Sequence, residues 1–384
     1  APRWAHLGIG NIFRIFIGSI ADGLLENGEL DTALTCVETF DYDVVDKIYR
    51  PFDNLGLSVV LNTDGTRDYK VLGAFGEAVK AQSTDPEQWN RLKEIFVSPS
   101  LQLVSFTITE KGYALTNAEG KYLPYVQADI DHGPDRATGA MAIVTSMLLE
   151  RYKKGGTPLA LVSMDNCSQN GSLLRSSVLT MTEEWLKRGY VDQGFADYVE
   201  NEDKVSFPWT MIDKITPRPN PVIAADLKAL GVEDMEPVET SKRTYIAPFV
   251  NGEDPQYLVI EDHFPNGRPA LEKGKGVYLG SRDTVNKSER MKVTALLNPV
   301  HSAVAPLGVL LGEEYFATLI NHDPKLMKLA KMVAYDEGMP MVPDPGILSP
   351  KNFADELFQL RFVNEYLLDT NLRIVTDESQ GLGV

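Results

Sequence analysis

The sequence predicts an α/β protein: an expanded Rossmann-type dinucleotide-binding domain over residues 1–285, followed by a mostly α-helical domain over 286–384. Three observations carry this. Residues 4–10 read as a short apolar strand running into Gly8-Ile-Gly10, with a helix-like stretch behind it. Apolar β-rich runs then alternate with amphipathic helical stretches, and from Met291 onward apolar residues recur at helical spacing. At 384 residues and 43% hydrophobic content, the chain is long enough for about two cores.

In chain order, the first strand and glycine turn lead into a helix over 11–25. Gly8 permits the tight bend and Gly10 lets the backbone approach a pyrophosphate, while Asn11, Ile12 and Phe13 open a helix whose free N–H groups face it. Phe13 stands where the full fingerprint has its third glycine. Residues 32–38 form a second strand ending in Glu38, where such folds place the carboxylate that accepts the adenosine ribose hydroxyls. Asp41 and Asp43 are alternatives, ahead of a short helix over 44–49. A carboxylate at this point repels a 2′-phosphate, which favours NAD over NADP.

Residues 56–72 hold two alternating runs joined through Asp64-Gly65, a hairpin signal. A helix over 85–95 is capped by Asp85 with Pro86 in its first turn. The strand over 101–109 puts Thr109 and Glu110 at its carboxyl end, and position alone makes them candidates for nicotinamide or ribose contact. After a helix over 135–152 and a strand over 157–164 comes Asp165-Asn166-Cys167-Ser168-Gln169-Asn170-Gly171, opening onto a helix over 173–188. These are ordinary turn residues, yet amides and a carboxylate at a strand end also suit an oxyanion. Asn166 is placed with the cofactor and Asp165 with the substrate. The runs 208–213, 244–250 and 256–262 are expected to extend the sheet or cover its edge, and 263–290 reads as a linker. Helices follow over 302–311, 324–336 and 352–360, with a proline-rich loop over 340–350.

Lys and Arg number 37 against 54 Asp and Glu, net −17, and no segment concentrates the cations. No nucleic acid and no membrane surface is therefore expected as partner. Two separate cysteines, Cys36 and Cys167, point to a reducing, cytoplasmic compartment. No apolar run is read as approaching the roughly 18 residues of a membrane span. The abrupt start at Ala1-Pro2-Arg3 leads us to expect residues upstream. None of the five histidines pairs with another ligand at metal spacing, so no metal is expected.

The stretch 289–301 is the candidate for the chemistry. It holds Lys292, Asn298 and His301 at offsets 0, 6 and 9 among apolar residues. On one regular helix these offsets fall at about 0°, 240° and 180°, so a shared site needs a break between them. Pro299 does not supply it, because proline fits near the start of a helix continuing through His301. The plainer account leaves Lys292 on a solvated face and His301 as a satisfied core residue.

Several blocks together resemble the polyol-specific long-chain dehydrogenases, the mannitol dehydrogenase family. They are Gly8-Ile-Gly10 with Arg14, Asp165-Asn166 with Asn170-Gly171, Met211-Ile-Asp213-Lys-Ile-Thr-Pro217, Val259-Ile-Glu-Asp262 with Phe264-Pro-Asn-Gly-Arg-Pro269, 289–301, and Arg361-Phe through Asp369-Thr to Arg373. The match spans nearly the whole chain in order. It implies NAD-linked, metal-independent oxidation of a small-molecule sugar acid or polyol by a monomer or homodimer. Lys292 would be the general acid/base, Asn170 and Asn298 the amides on the reacting oxygen, and His301 a substrate-orienting group. Glu289 would relay protons and Arg373 would stand beside the substrate. Residues 46–54 and Tyr245-Ile-Ala-Pro-Phe look nearer the hexuronate-acting branch than the mannitol enzymes. A hexuronate carboxylate wants a cation such as Arg373 or Arg361. The chain departs from the family pattern in the six-residue step from Lys292 to Asn298, commonly five, and in Gly381, where relatives often carry lysine. Relatives also continue beyond this point, so a longer helical domain is expected. A reading of another class, a non-catalytic NAD-binding sensor, has no use for the acid/base set.

Overall fold

The computed structural model describes residues 1–381. Its central sheet has six parallel strands, β1 (Trp4–Leu7), β2 (Leu34–Glu38), β5 (Phe75–Lys80), β6 (Leu103–Phe106), β7 (Leu159–Ser163) and β8 (Val205–Ser206), in the order β5-β2-β1-β6-β7-β8. β1 is flanked by strands running outward on both sides. The order therefore reverses beside β1, and the crevice lies at the carboxyl ends of β1 and β6. β1, β2, β6 and β7 are buried along their whole length, which is why they read as continuous apolar runs.

The expansion lies partly between β2 and β5, where β3 (Gly56–Leu61) and β4 (Arg67–Leu72) form the expected antiparallel hairpin. β5 was not expected; its sequence FGEAVK mixes small and charged residues. The three later β-like runs do not extend the central sheet. β9 (Thr210–Asp213) pairs antiparallel with β13 (Tyr257–Glu261), which also carries β14 (Val277–Gly280). The run 244–250 divides between β11 (Tyr245–Ile246), paired with β10 (Val238–Glu239), and β12 (Phe249–Gly252), which joins β3. Nor is 263–290 a linker, since it contains β14 and a helix Arg282–Arg290 started by the Ser281 side chain on Thr284 N–H.

That helix continues as one 30-residue rod, Arg282–Leu311, long and apolar enough by length and composition to cross a membrane. This corrects the expectation that no such segment exists. Its inner face is a core face, with Met291, Leu296, Val300 and Val304 packed against Phe316, Phe353 and Phe362. The same core takes in Met211, Tyr257 and Val259 from β9 and β13.

Candidate active site

At the carboxyl end of β1, Gly8 has φ +88°, and a Cβ there would stand 2.2 Å from the Thr107 carbonyl oxygen. Only glycine fits. A Cβ on Gly10 would meet nothing within 4 Å, so the backbone there is open to an incoming group. Asn11 and Ile12 occupy the first helical positions of a helix that opens with a wide π turn, Phe13–Gly18. Open backbone at a helix N-terminus is a cradle that fits a pyrophosphate. The Asn11 amide oxygen accepts from buried Arg14, whose other bonds go to the Ala247 and Pro248 carbonyls. The Phe13 side chain is core: it is fully buried and its ring is stacked on His6 at 4.2 Å. Glu38 sits beside the turn, accepting from Ile9 N–H at 3.3 Å and from the N–H groups of Thr39, Phe40 and Asp41. Burial raises its pKa, and those N–H groups oppose the rise.

Across the crevice, Thr109 holds a left-handed φ of +64°, strained for a β-branched residue. Asp165 holds it there. Its carboxylate accepts from Ile108 N–H and Thr109 N–H at 2.9 Å each, and from the Tyr113 hydroxyl at 2.5 Å. The expectation that Asp165 meets substrate is corrected: the carboxylate is spent on the loop carrying Thr109 and the exposed Glu110.

Lys292 is 4% exposed, and its ammonium donates to Asn166 Oδ1 at 2.8 Å and to the Ile212 carbonyl at 2.7 Å, with Asp213 Oδ1 at 3.7 Å. The solvated-face account therefore fails. Burial lowers the amine's pKa; the Asp213 charge opposes that and Arg361 reinforces it. Burial alone would raise the Asp213 carboxyl, but Arg361 and then Lys292 hold it below its ordinary value.

The break that the spacing demanded is a π segment, Met291–Leu296, where Leu297 N–H bonds the Lys292 carbonyl. Such a turn absorbs one extra residue, which moves the phase of everything after it by about 100°. His301 then falls about 80° from Lys292 and Asn298 about 140°, as a five-residue step would place Asn298 on a regular helix. Pro299 contributes after all, because it withholds the N–H that the Ala295 carbonyl would receive. Gly338 fills the gap: a Cβ there would stand 2.1 Å from Ala295 O. His301 is buried edge-on to Phe316 at 5.1 Å, and burial, with Arg361 next, lowers its pKa to about 3, so the imidazole is neutral. Asn298 is half-buried. Glu289 reaches across to the β7 loop, accepting from Ser168 Oγ at 2.5 Å and Gln169 N–H at 3.3 Å.

Four further expectations change. Asn170 is fully buried, donating to Asp165 O and Thr210 Oγ1 and accepting from Thr210 N–H, so it ties β9 to the end of β7. The amide that touches Lys292 is Asn166, which had been placed with the cofactor. Arg361 does not offer its fork to substrate, since Nε and Nη2 hold Glu253 at 2.8 and 2.6 Å and Nη1 holds Asp213 at 2.9 Å. Arg373 lies on the surface, bridged to Asp369 and Asp377. Asp213 and Glu253 were assigned no role from sequence; Asp213 closes the apolar run Met211-Ile212, whereas Glu253 stands in the turn-like Asn251-Gly-Glu-Asp-Pro255 and gave no signal. The Asp213 Oδ2 atom is buried with no hydrogen-bond partner. Among the described residues, no group of three or more His, Cys, Asp or Glu is placed to hold a metal ion.

Residues 2–273 match the mannitol dehydrogenase Rossmann domain, and residues 284–383 match the mannitol dehydrogenase C-terminal domain. The chain belongs to the mannitol dehydrogenase family. As a member, it is 48% identical over 384 residues to the D-mannonate oxidoreductase of Thermotoga maritima, covering 100% of this chain and 70% of that protein. It is 30% identical to the mannitol 2-dehydrogenase of Cereibacter sphaeroides, over 98% of this chain and 73% of that one. Among solved structures, it superposes on Pseudomonas fluorescens mannitol 2-dehydrogenase in ternary complex with NAD and D-mannitol. That match has a TM-score of 0.77 and 27% identity, over 97% of this chain and 71% of the other. This mannitol dehydrogenase family chain is thus built on an NAD-enzyme scaffold with an amine in its crevice.

Proposed function

We propose that the chain is an NAD-dependent, metal-independent oxidoreductase that interconverts D-mannonate and D-fructuronate. The observation that carries it is the buried Lys292 amine among the Asn166 amide, the Ile212 carbonyl and Asp213. The 48% identity with a D-mannonate oxidoreductase supports the substrate. NAD fits the cradle of Gly8, Gly10 and the helix beginning at Asn11, with Glu38 beside it and Thr109 opposite. When bound, NAD supplies hydride exchange at the carbinol carbon.

The chain's own residues manage the proton. In the oxidation, neutral Lys292 takes the hydroxyl proton; in the reduction, its ammonium returns it. Asn166 fixes the amine, and the half-buried Asn298 amide is within the same helical stretch to hold the reacting oxygen. Glu289, bonded to Ser168 and Gln169, is the carboxylate that relays the proton in this reading. The partnerless Asp213 Oδ2 is an acceptor suited to a second substrate hydroxyl. Both expected carboxylate-binding arginines are already paired, so the hexuronate preference rests on the relative.

Replacing Lys292 by Ala tests the mechanism: turnover falls by roughly 10²–10⁴-fold while NADH still binds by fluorescence titration. Unchanged turnover would overturn it. NADH oxidation with D-fructuronate and with D-fructose at equal concentration tests the substrate, and faster turnover of fructose would overturn that choice.

A further inference from the structure

A line of buried charge runs away from Lys292 through three elements. Asp213 ends β9, Arg361 ends the helical segment Leu357–Arg361, and Glu253 follows β12. Glu253 is 0% exposed and Arg361 4% exposed, with Tyr257, Phe353 and Leu357 around the arginine. Glu253 takes both Nε and Nη2 of Arg361, and its Oε1 also accepts from Ile215 N–H at 2.8 Å, which locks the carboxylate in place. The remaining arm of Arg361 reaches Asp213 Oδ1, the same oxygen that stands 3.7 Å from the Lys292 nitrogen.

A buried four-charge line costs desolvation that an apolar cluster would avoid. Its arrangement nevertheless has a consequence. A bidentate pair fixes the guanidinium plane, and the plane fixes which Asp213 oxygen faces Lys292 and which is left without a partner. We propose that Glu253, acting through Arg361, is a positioning residue for the reaction: it sets the orientation of Asp213 and the charge that the Lys292 amine meets. This rests on Lys292 being the acid/base.

The sign follows from the charges around each group. Lys292 faces Asp213, Arg361, Glu289 and His301, and Arg373 acts on His301 from further out. Glu253 faces Arg361, Asp213 and Lys214, whose ammonium bonds the Glu253 carbonyl; Asp254 and Lys275 lie beyond. With Glu253 neutral, the Arg361 charge is no longer balanced and more of it acts on Lys292. The amine then loses its proton more readily.

The test is the pH profile of kcat/KM for D-mannonate oxidation in the wild type, Glu253→Gln, Glu253→Asp and the double variant Glu253→Gln/Arg361→Met. The acid limb of Glu253→Gln is expected about one pH unit below the wild type, with Glu253→Asp returning toward it. The double variant, which removes the Arg361–Glu253 pair and leaves Asp213 facing Lys292 alone, is expected above the wild type because the nearer positive charge is gone. Should Glu253→Gln fail to fold, the double variant alone decides. A limb that stays at the wild-type position in every folded variant, whatever happens to the rate, overturns the proposal. Failure of the acid/base reading is distinguishable, because Lys292→Ala would then keep its turnover.

Discussion

At 4% exposure, the Lys292 amine has exchanged bulk water for the oxygens of Asn166, Ile212 and Asp213, and that exchange sets the direction of its proton equilibrium. Burial lowers the pKa from the ordinary 10.5, with Asp213 opposing. Oxidation needs the neutral amine, so kcat/KM for oxidation rises with pH and levels off below 10.5, while the reductive direction falls over the same interval. Profiles in both directions check this; oxidation still climbing past 10.5 would count against it. The two turn asparagines should separate cleanly. Asn170→Ala strands Thr210 N–H in the interior, Thr210 Oγ1 keeping its bond to the Ser163 carbonyl, and should lower stability by about 1–3 kcal/mol in urea. Asn166→Ala, at an exposed position, should leave stability nearly unchanged and reduce turnover. The motif was legible in the sequence, but which amide faces the lysine was not. Spacing of four residues across a turn carries no direction until Gln169 adopts its left-handed φ of +50°.

At the scale of elements, the long helix Arg282–Leu311 works because it is not regular. The wide turn Met291–Leu296 brings His301 round toward Lys292, and Gly338 packs on the carbonyl that Pro299 leaves free. Gly338→Ala should therefore cost about 1–3 kcal/mol by urea unfolding, with a loss of turnover, since a Cβ must displace backbone. Gly23→Ala, in a helix where a Cβ would meet nothing within 4 Å, should instead stabilise by about 0.5–1 kcal/mol. Strands buried on both faces were readable as apolar runs. β5 and β14 were not, because β5 mixes small and charged residues into its pattern and the Val-Tyr-Leu of β14 stands in a charged, glycine-bearing stretch.

For the whole molecule, the helical region and the small sheet share one core, in which Met211, Tyr257 and Val259 meet Val300, Phe353 and Phe362. Arg361 adds a buried tie to Asp213 and Glu253. A chain ending at residue 273 would expose that apolar surface and leave both acids unpaired. Produced alone, it should elute as aggregate and lack a cooperative thermal transition, by size-exclusion chromatography and circular dichroism. A well-behaved folded monomer would show that the cores are separable.

The sequence by itself determined the glycine turn, the buried strands at 4–7, 34–38, 103–106 and 159–163, and the presence of an amine, amides and an imidazole in one family pattern. Local constraints suffice for these: glycine alone takes φ +88° at Gly8, and apolar runs must be buried. Only the tertiary structure decided which charges are spent on one another. Asp165, Asn170 and Arg361 all carry groups able to bind a ligand, and each is committed to a partner far away in sequence. Burial makes an unpaired charge or amide costly, so its partner, rather than its type, fixes what it does.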